Sequence, residues 1–203
     1  MAVRRAFLTI ALATAAALAA ALTAGCDRAG APQFKAIDIT GADYAQGFDL
    51  PDAQGQRRTL ADFRGKVTVV FFGFTHCPDV CPTTMLELAE VRKALGADGA
   101  RVAGVFITVD PERDTPEVLG PYVSAFAPDF VALRGTPDET RALAKAFKVF
   151  YNKVPGKTAD SYSIDHTAGA YVFDAQGRVR LFTRYGTGAE ALKHDLALLL
   201  AGA

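Results

Sequence analysis

The stretch Val67 to Phe74, VTVVFFGF, restricts most strongly what this chain can fold into. A strand with one face in water alternates apolar and polar residues. This run does not alternate, so it reads as a strand buried on both faces. Such a strand needs cover on both sides of a mostly parallel sheet, which makes the chain α/β. RVAGVFITVD, residues 101–110, is a second run of the same kind. Between them, TTMLELAEVRKAL puts Met85, Leu88, Val91 and Leu95 on one helical face. Further along, PEVLGPYVSAF predicts a helix kinked or broken near Gly120-Pro121. FVAL predicts a short strand and DETRALAKAF another helix. TAGAYVFD and RVRLFTRY predict a hairpin about the turn AQG, and GAEALKHDLALLLA a C-terminal helix. Ahead of the first buried run, FDLPDAQGQRRTLADFRGK reads as a short hairpin turning at Gln54-Gly55.

That order resembles the thioredoxin fold with an added N-terminal β-hairpin and an inserted helix, in one domain over residues 42–203. The chain has 203 residues, half of them hydrophobic, enough for one core. Its 22 basic and 22 acidic residues cancel and no basic cluster stands out, which argues against a nucleic-acid partner. Arg4 and Arg5 precede an uncharged, Ala- and Leu-rich run from Ala6 to Ala24, the form of an export signal over residues 1–26. The run closes on LTAGC, so Cys26 is a candidate lipidation site of a bacterial lipoprotein, although Thr23 stands where that pattern prefers Leu. An uncleaved membrane anchor and simple cleavage are the alternatives, since the run is nearly as long as a bilayer-spanning helix. Residues 27–41 read as a tether. Each version places the domain outside the cytoplasm.

Once Cys26 is set aside, Cys77 and Cys81 remain. Exported thiol pairs tend to oxidise. A bridge across so short a loop stabilises little, so a structural disulfide is the weakest reading. Cys81 precedes Pro82 as Thr115 precedes Pro116 and Thr136 precedes Pro137, at three similar helix starts. Thr136 with Glu139 forms a capping box. Cys81 is therefore expected at an N-cap, where the helix dipole favours the thiolate and lowers its pKa. Cys77 falls on the loop at the C-terminal end of the first buried strand, the edge where open α/β sheets bind ligands. Three residues separate the cysteines, which admits either a disulfide or a shared metal. Two soft sulfurs suit Cu(I) or Zn(II). Three histidines could add a ligand. His76 adjoins Cys77 and is expected to face away from the site. His194, between Lys193 and Asp195, is expected on a solvated face. His166 stands before TAGAYVFD, whose entry lies beside the cysteine loop in a thioredoxin-like fold. Two sulfurs and one nitrogen suit Cu(I), whereas a structural zinc wants a fourth ligand, available from Asp79 or Asp165.

FFGFTHCPDVCPTTM, ITVDPERDTPE and DHTAGAYVFDAQGRV, in that order and spacing, resemble the Sco/SenC family of copper-binding assembly proteins. The resemblance runs from about Phe48 to the C-terminus. It implies that Cys77, Cys81 and His166 bind one copper, as Cu(I) and in a second form as Cu(II). It implies a role in assembling the dinuclear copper centre of cytochrome c oxidase. The implied partners are the oxidase's copper-site subunit and other copper carriers or thiol reductants. The implied place is the periplasmic face of the bacterial inner membrane. Many members keep a transmembrane helix where this chain has the lipoprotein-like Cys26. In DPERDT, Asp114 or Thr115 is expected to cap the next helix, with Asp110 near the copper loop. Two functions stay open. One is a metallochaperone, not an enzyme, that passes copper on by ligand exchange. The other is a thiol–disulfide oxidoreductase in which Cys77 or Cys81 attacks a partner's disulfide. A peroxidase on the same fold is a third.

Overall fold

The two apolar runs become the two central strands of the sheet. A computed structural model describes residues 33–158 and 161–203; the expected leader and Cys26 lie outside the described residues. In chain order the elements are β1 (Ile37–Asp38), β2 (Asp49–Pro51), β3 (Arg57–Thr59), β4 (Val67–Gly73), α1 (Val80–Ala94), β5 (Val102–Thr108), α2 (Pro116–Ser124), β6 (Val131–Leu133), α3 (Pro137–Ala146), β7 (Tyr151–Pro155), β8 (Tyr162–His166), β9 (Gly169–Phe173), β10 (Val179–Arg184) and α4 (Ala189–Leu200). This is a thioredoxin-like α/β fold, with β2–β3 as the added hairpin and two helices between β5 and β9.

Every residue of β4 and of β5 is buried. The sheet order is β1-β10-β9-β4-β5-β6. β4, β5 and β6 run parallel. The expectation of a mostly parallel sheet holds only for this half. β9 joins β4 antiparallel, a tight turn after Phe173 returns the chain directly as antiparallel β10, and β1 pairs antiparallel with β10. Alternation along β4 sends Phe71 towards Phe106, with ring centroids 6.1 Å apart, and Phe72 to the other face, 5.1 Å from Phe147. Both faces of the strand are thus filled by aromatic rings, each worth about 1.5–3 kcal/mol when fully buried.

Helix α1 buries Met85, Leu88 and Val91, the predicted stripe, together with Cys81. Helix α3 starts at the predicted capping box, Thr136 Oγ1 accepting from the Glu139 N–H. Of the kink or break expected near Gly120-Pro121, the break does not occur: helix α2 runs on through Pro121. Gly120 before the proline has no Cβ to clash with its ring, and the Ala125 N–H still reaches the Pro121 carbonyl at 3.1 Å.

Residues Phe34–Ala203 form one compact unit. The end of the stretch expected as tether is docked by β1 and by Asp195, a carboxylate only 1 % exposed. Asp195 accepts from the Lys35 and Ala36 N–H groups at 2.8 and 2.7 Å. Those bonds offset the cost of burying its charge.

Candidate metal centre

β4 ends at Gly73, and the chain turns before α1, with the Cys77 N–H donating to the Phe74 carbonyl at 3.2 Å. The N-cap of α1 is Asp79, so Cys81 is the second helical residue and not the cap. That shift changes its chemistry. Cys81 points inward and is 0 % exposed. Its sulfur sits against the Gly73 backbone beside Phe71 and Phe106. Burial pushes the Cys81 thiol well above its usual pKa; a hydrogen bond from the Phe74 backbone offsets only part, and Cys77 and Asp114 raise it further. The expected lowering does not occur: Cys81 is not the cap, and its burial disfavours the thiolate. The first-turn amide goes elsewhere: the Cys81 N–H donates to Cys77 Sγ at 3.4 Å. Cys77 is half-buried.

His166 closes β8, opposite Tyr151. Its ring stands edge-on to Phe71 and Phe74, each 5.9 Å away between centroids. Nδ1 lies 3.1 Å from the Thr167 carbonyl. A carbonyl only accepts, so Nδ1 is assigned the proton and Nε2 keeps a free lone pair. Nε2 lies 3.4 Å from Cys81 Sγ. Burial lowers the His166 pKa despite the Thr167 carbonyl and Asp165, which raise it. The neutral imidazole this favours is the form that binds metal.

The ligand atoms of Cys77, Cys81 and His166 all lie within 4.8 Å of one another. Two bonds of about 2.3 Å to one ion span about 4.6 Å, so the three atoms converge on one point with little movement. Among the described residues this is the one such cluster of ligand side chains. Asp79, which accepts from Thr83 Oγ1, and the exposed Asp165 stand outside that cluster, so no fourth ligand of a structural zinc is in place. Two sulfurs and one imidazole fit Cu(I). His76 is exposed and shares a hydrogen bond with Thr75 Oγ1; His194 is exposed and pairs with Asp195. Both stay outside the site, as expected.

Over residues 38–201 the chain matches the family described as SCO1/SenC. It belongs to the SCO1/SenC family. The SCO2-like protein of Rickettsia felis is 38 % identical over 132 residues, 64 % of this chain and 64 % of that protein. This SCO1/SenC chain thus spans just under two thirds of the length of that curated relative. ScoI of Bradyrhizobium japonicum, solved with copper bound, is 41 % identical with a TM-score of 0.68, covering 75 % of this chain and 97 % of that one. ScoI of Arabidopsis thaliana, also solved with copper bound, is 32 % identical with a TM-score of 0.72, covering 81 % and 99 %.

The DPERDT segment of this SCO1/SenC domain does more than start a helix. Thr115 is the N-cap of α2, but its side chain makes no capping bond. Asp114, fully buried, accepts from Thr108 Oγ1 and Thr75 Oγ1 at 2.6 Å each and from the Thr75 N–H at 3.1 Å. It thereby fixes the residue two before Cys77. Asp110, also fully buried, accepts from Tyr162 Oη at 2.8 Å and from Arg113 Nε. Arg113 lies 3.6 Å over the Tyr162 ring and donates to the Tyr162 carbonyl. Tyr162 opens the strand that His166 closes. One segment therefore positions both halves of the site. The partners of Asp114 lie 39 residues upstream in the case of Thr75, so a local reading of Asp-Thr-Pro finds only a cap.

Proposed function

We propose that this chain is a membrane-tethered copper metallochaperone that takes up one Cu(I) through Cys77, Cys81 and His166. It delivers the ion to the dinuclear copper centre of cytochrome c oxidase, at the periplasmic face of the bacterial inner membrane. The export signal with Cys26 as the lipid-bearing residue would supply the anchor. The observation that carries the reading is the convergence of two sulfurs and one nitrogen, within 4.8 Å, on donors of graded exposure. The copper-bound relatives support the metal. The oxidase and the anchor rest on the resemblance of the motifs.

Copper is cargo here. Uptake releases the two thiol protons, so two thiolates and a neutral imidazole face the ion. Delivery is ligand exchange with no change of oxidation state. A partner's thiolate approaches from the open side, between Pro78 and Val80 of the cysteine loop and Ala168 beyond His166. Cys77, half-exposed on that side, leaves first and takes up a proton. Cys81 and His166, deeper in the aromatic pocket, let go last.

A second reading, a thiol–disulfide reductase that prepares a partner's copper ligands, is favoured by the hydrogen bond from the Cys81 N–H to Cys77 Sγ. It makes Cys77 the attacking sulfur. Cys77 thiolate attacks one sulfur of the partner's disulfide and the other sulfur leaves as thiolate. Cys81 then displaces the partner from the mixed disulfide, and the domain's pair ends oxidised by two electrons. A Cu(I) titration of the full chain against a competing chelator, beside His166→Ala, separates the two. Copper lost in the variant with disulfide exchange intact supports the chaperone. Copper retained in the variant refutes the three-ligand site.

A further inference from the structure

Tyr122 stands on α2 with its ring between Phe106 and Phe126, at 5.4 and 5.3 Å between centroids. Phe106 and the Cys81 sulfur flank one small gap: a Cβ added to Gly73 would come 2.9 Å from each. Tyr122 is thus the next ring behind the wall of the metal pocket. Its hydroxyl is buried and has no hydrogen-bond partner. Two other buried side-chain atoms among the described residues share that condition, Thr140 Oγ1 and Arg113 Nη2. Thr140 is on α3, and the Arg113 guanidinium already serves Asp110 and Tyr162. Leaving a buried hydroxyl unpaired is costly, so native structures rarely keep one without a use.

We propose that the Tyr122 hydroxyl is a donor held in reserve for the copper-loaded state, in which it hydrogen-bonds a cysteine thiolate. The inference rests on the copper reading above. Two thiolates around one Cu(I) carry a net negative charge into a pocket walled by Phe71, Phe74 and Phe106. The neighbouring carboxylate of Asp114 adds to it, with its oxygens engaged by Thr75 and Thr108. His166 spends its one N–H on the Thr167 carbonyl. The Cys81 N–H already serves Cys77 Sγ, and the Tyr122 O–H, one ring behind the pocket wall, is a side-chain donor still free. Burial, and then the charges of Cys81, Cys77 and Asp114, hold the phenol in its protonated, donating form. In the copper-free protein the hydroxyl waits unpaired.

The test is Tyr122→Phe in the full chain held in detergent. The phenyl ring keeps the packing against Phe106 and Phe126 and removes only the oxygen. Groups that support metal ligands typically change affinity about 10–100-fold when removed. Cu(I) affinity, read by chelator competition, is expected to fall by about 10-fold. The copper-free melting temperature is expected to stay level or rise, because an unpaired buried hydroxyl is gone. The Cu(II) complex is expected to show a shifted sulfur-to-copper charge-transfer band. Equal Cu(I) affinity in variant and wild type overturns the inference. Weaker copper together with a lower copper-free melting temperature also overturns it, since the effect is then structural. Wild-type chain that holds no Cu(I) overturns the copper reading itself, and the inference with it.

Discussion

Replacing Gly73 by alanine tests whether packing, and not the ion, sets the position of Cys81. Gly73 closes β4 opposite Thr108, and the space its missing side chain leaves is already taken. A Cβ would stand 2.8 Å from Phe71 Cε1 and 2.9 Å from both Cys81 Sγ and Phe106 Cε2. Favourable carbon contacts begin at about 3.5 Å, so each neighbour has to retreat by about 0.6 Å. Phe71 and Phe106 are 1 % and 0 % exposed and pack on each other. They cannot yield easily. The sulfur turns on a single bond and gives way first. Overpacking of this kind costs about 1–3 kcal/mol. The gain from a stiffer unfolded chain returns about 0.4–1 kcal/mol. The net loss is about 1–2 kcal/mol, a fall of about 2–8 °C in Tm for a domain of this size. Holding Cys81 about 30° off its rotamer costs about 0.5–1.5 kcal/mol, which lowers Cu(I) affinity roughly 2–12-fold. Thermal unfolding by circular dichroism and chelator competition read the two effects. Gly104→Ala is the control, since its Cβ would meet Phe130 at 2.5 Å on β5, away from the ligands. It is expected to lose stability and keep its copper affinity. Gly73→Ala with unchanged copper affinity would refute the claim that packing places the sulfur, and unchanged stability would refute the crowding itself.

Three further outcomes are expected. His166→Ala should lower Cu(I) affinity by more than the roughly 10–100-fold seen when a group behind a ligand is lost, and abolish measurable Cu(II) binding, while disulfide exchange proceeds at the wild-type rate. Asp114→Ala leaves Thr75 and Thr108 without their acceptor; a loss of about 2–4 kcal/mol in urea unfolding, with weaker copper, is expected, and a copper affinity equal to wild type would show that Thr75 does not set the cysteine loop. In the reduced, copper-free chain, iodoacetamide followed by peptide mass spectrometry should find Cys77 modified well before Cys81, which is closed to solvent until the structure opens; equal rates would contradict the burial.

The central strands and the helices were legible because burial on both faces and capping chemistry are written locally, as VTVVFFGF and the Thr136–Glu139 box show. The three candidate donors were legible as residue types, and the structure brings Cys77, Cys81 and His166 together. The state of Cys81 was not. Three helix starts share the same local letters, but in α1 the helix begins two residues earlier, at Val80, and Cys81 is turned into the core, where burial disfavours its thiolate. The β7–β8 hairpin left no signal, since most of its residues are exposed and no apolar alternation survives. Asp114 was legible only as a candidate cap, because its partner Thr75 lies 39 residues upstream. Docking of Lys35 and Ala36 on Asp195 was invisible for the same reason, the carboxylate lying 160 residues from Lys35.

Cys81 and His166 are 85 residues apart in the chain, and β9, which follows His166, inserts between β4 and β10. The order of synthesis therefore separates the sulfurs from the nitrogen. A chain still emerging, or one that has lost its last hairpin, presents two thiols and no imidazole beside them. Such a chain is an ordinary dithiol, open to oxidation in an oxidising compartment. Only after the final strands have closed over β4 do the three donors share one point. Copper retention then marks finished molecules, and because the ion prefers them, it adds its binding free energy to the completed fold and to no earlier state.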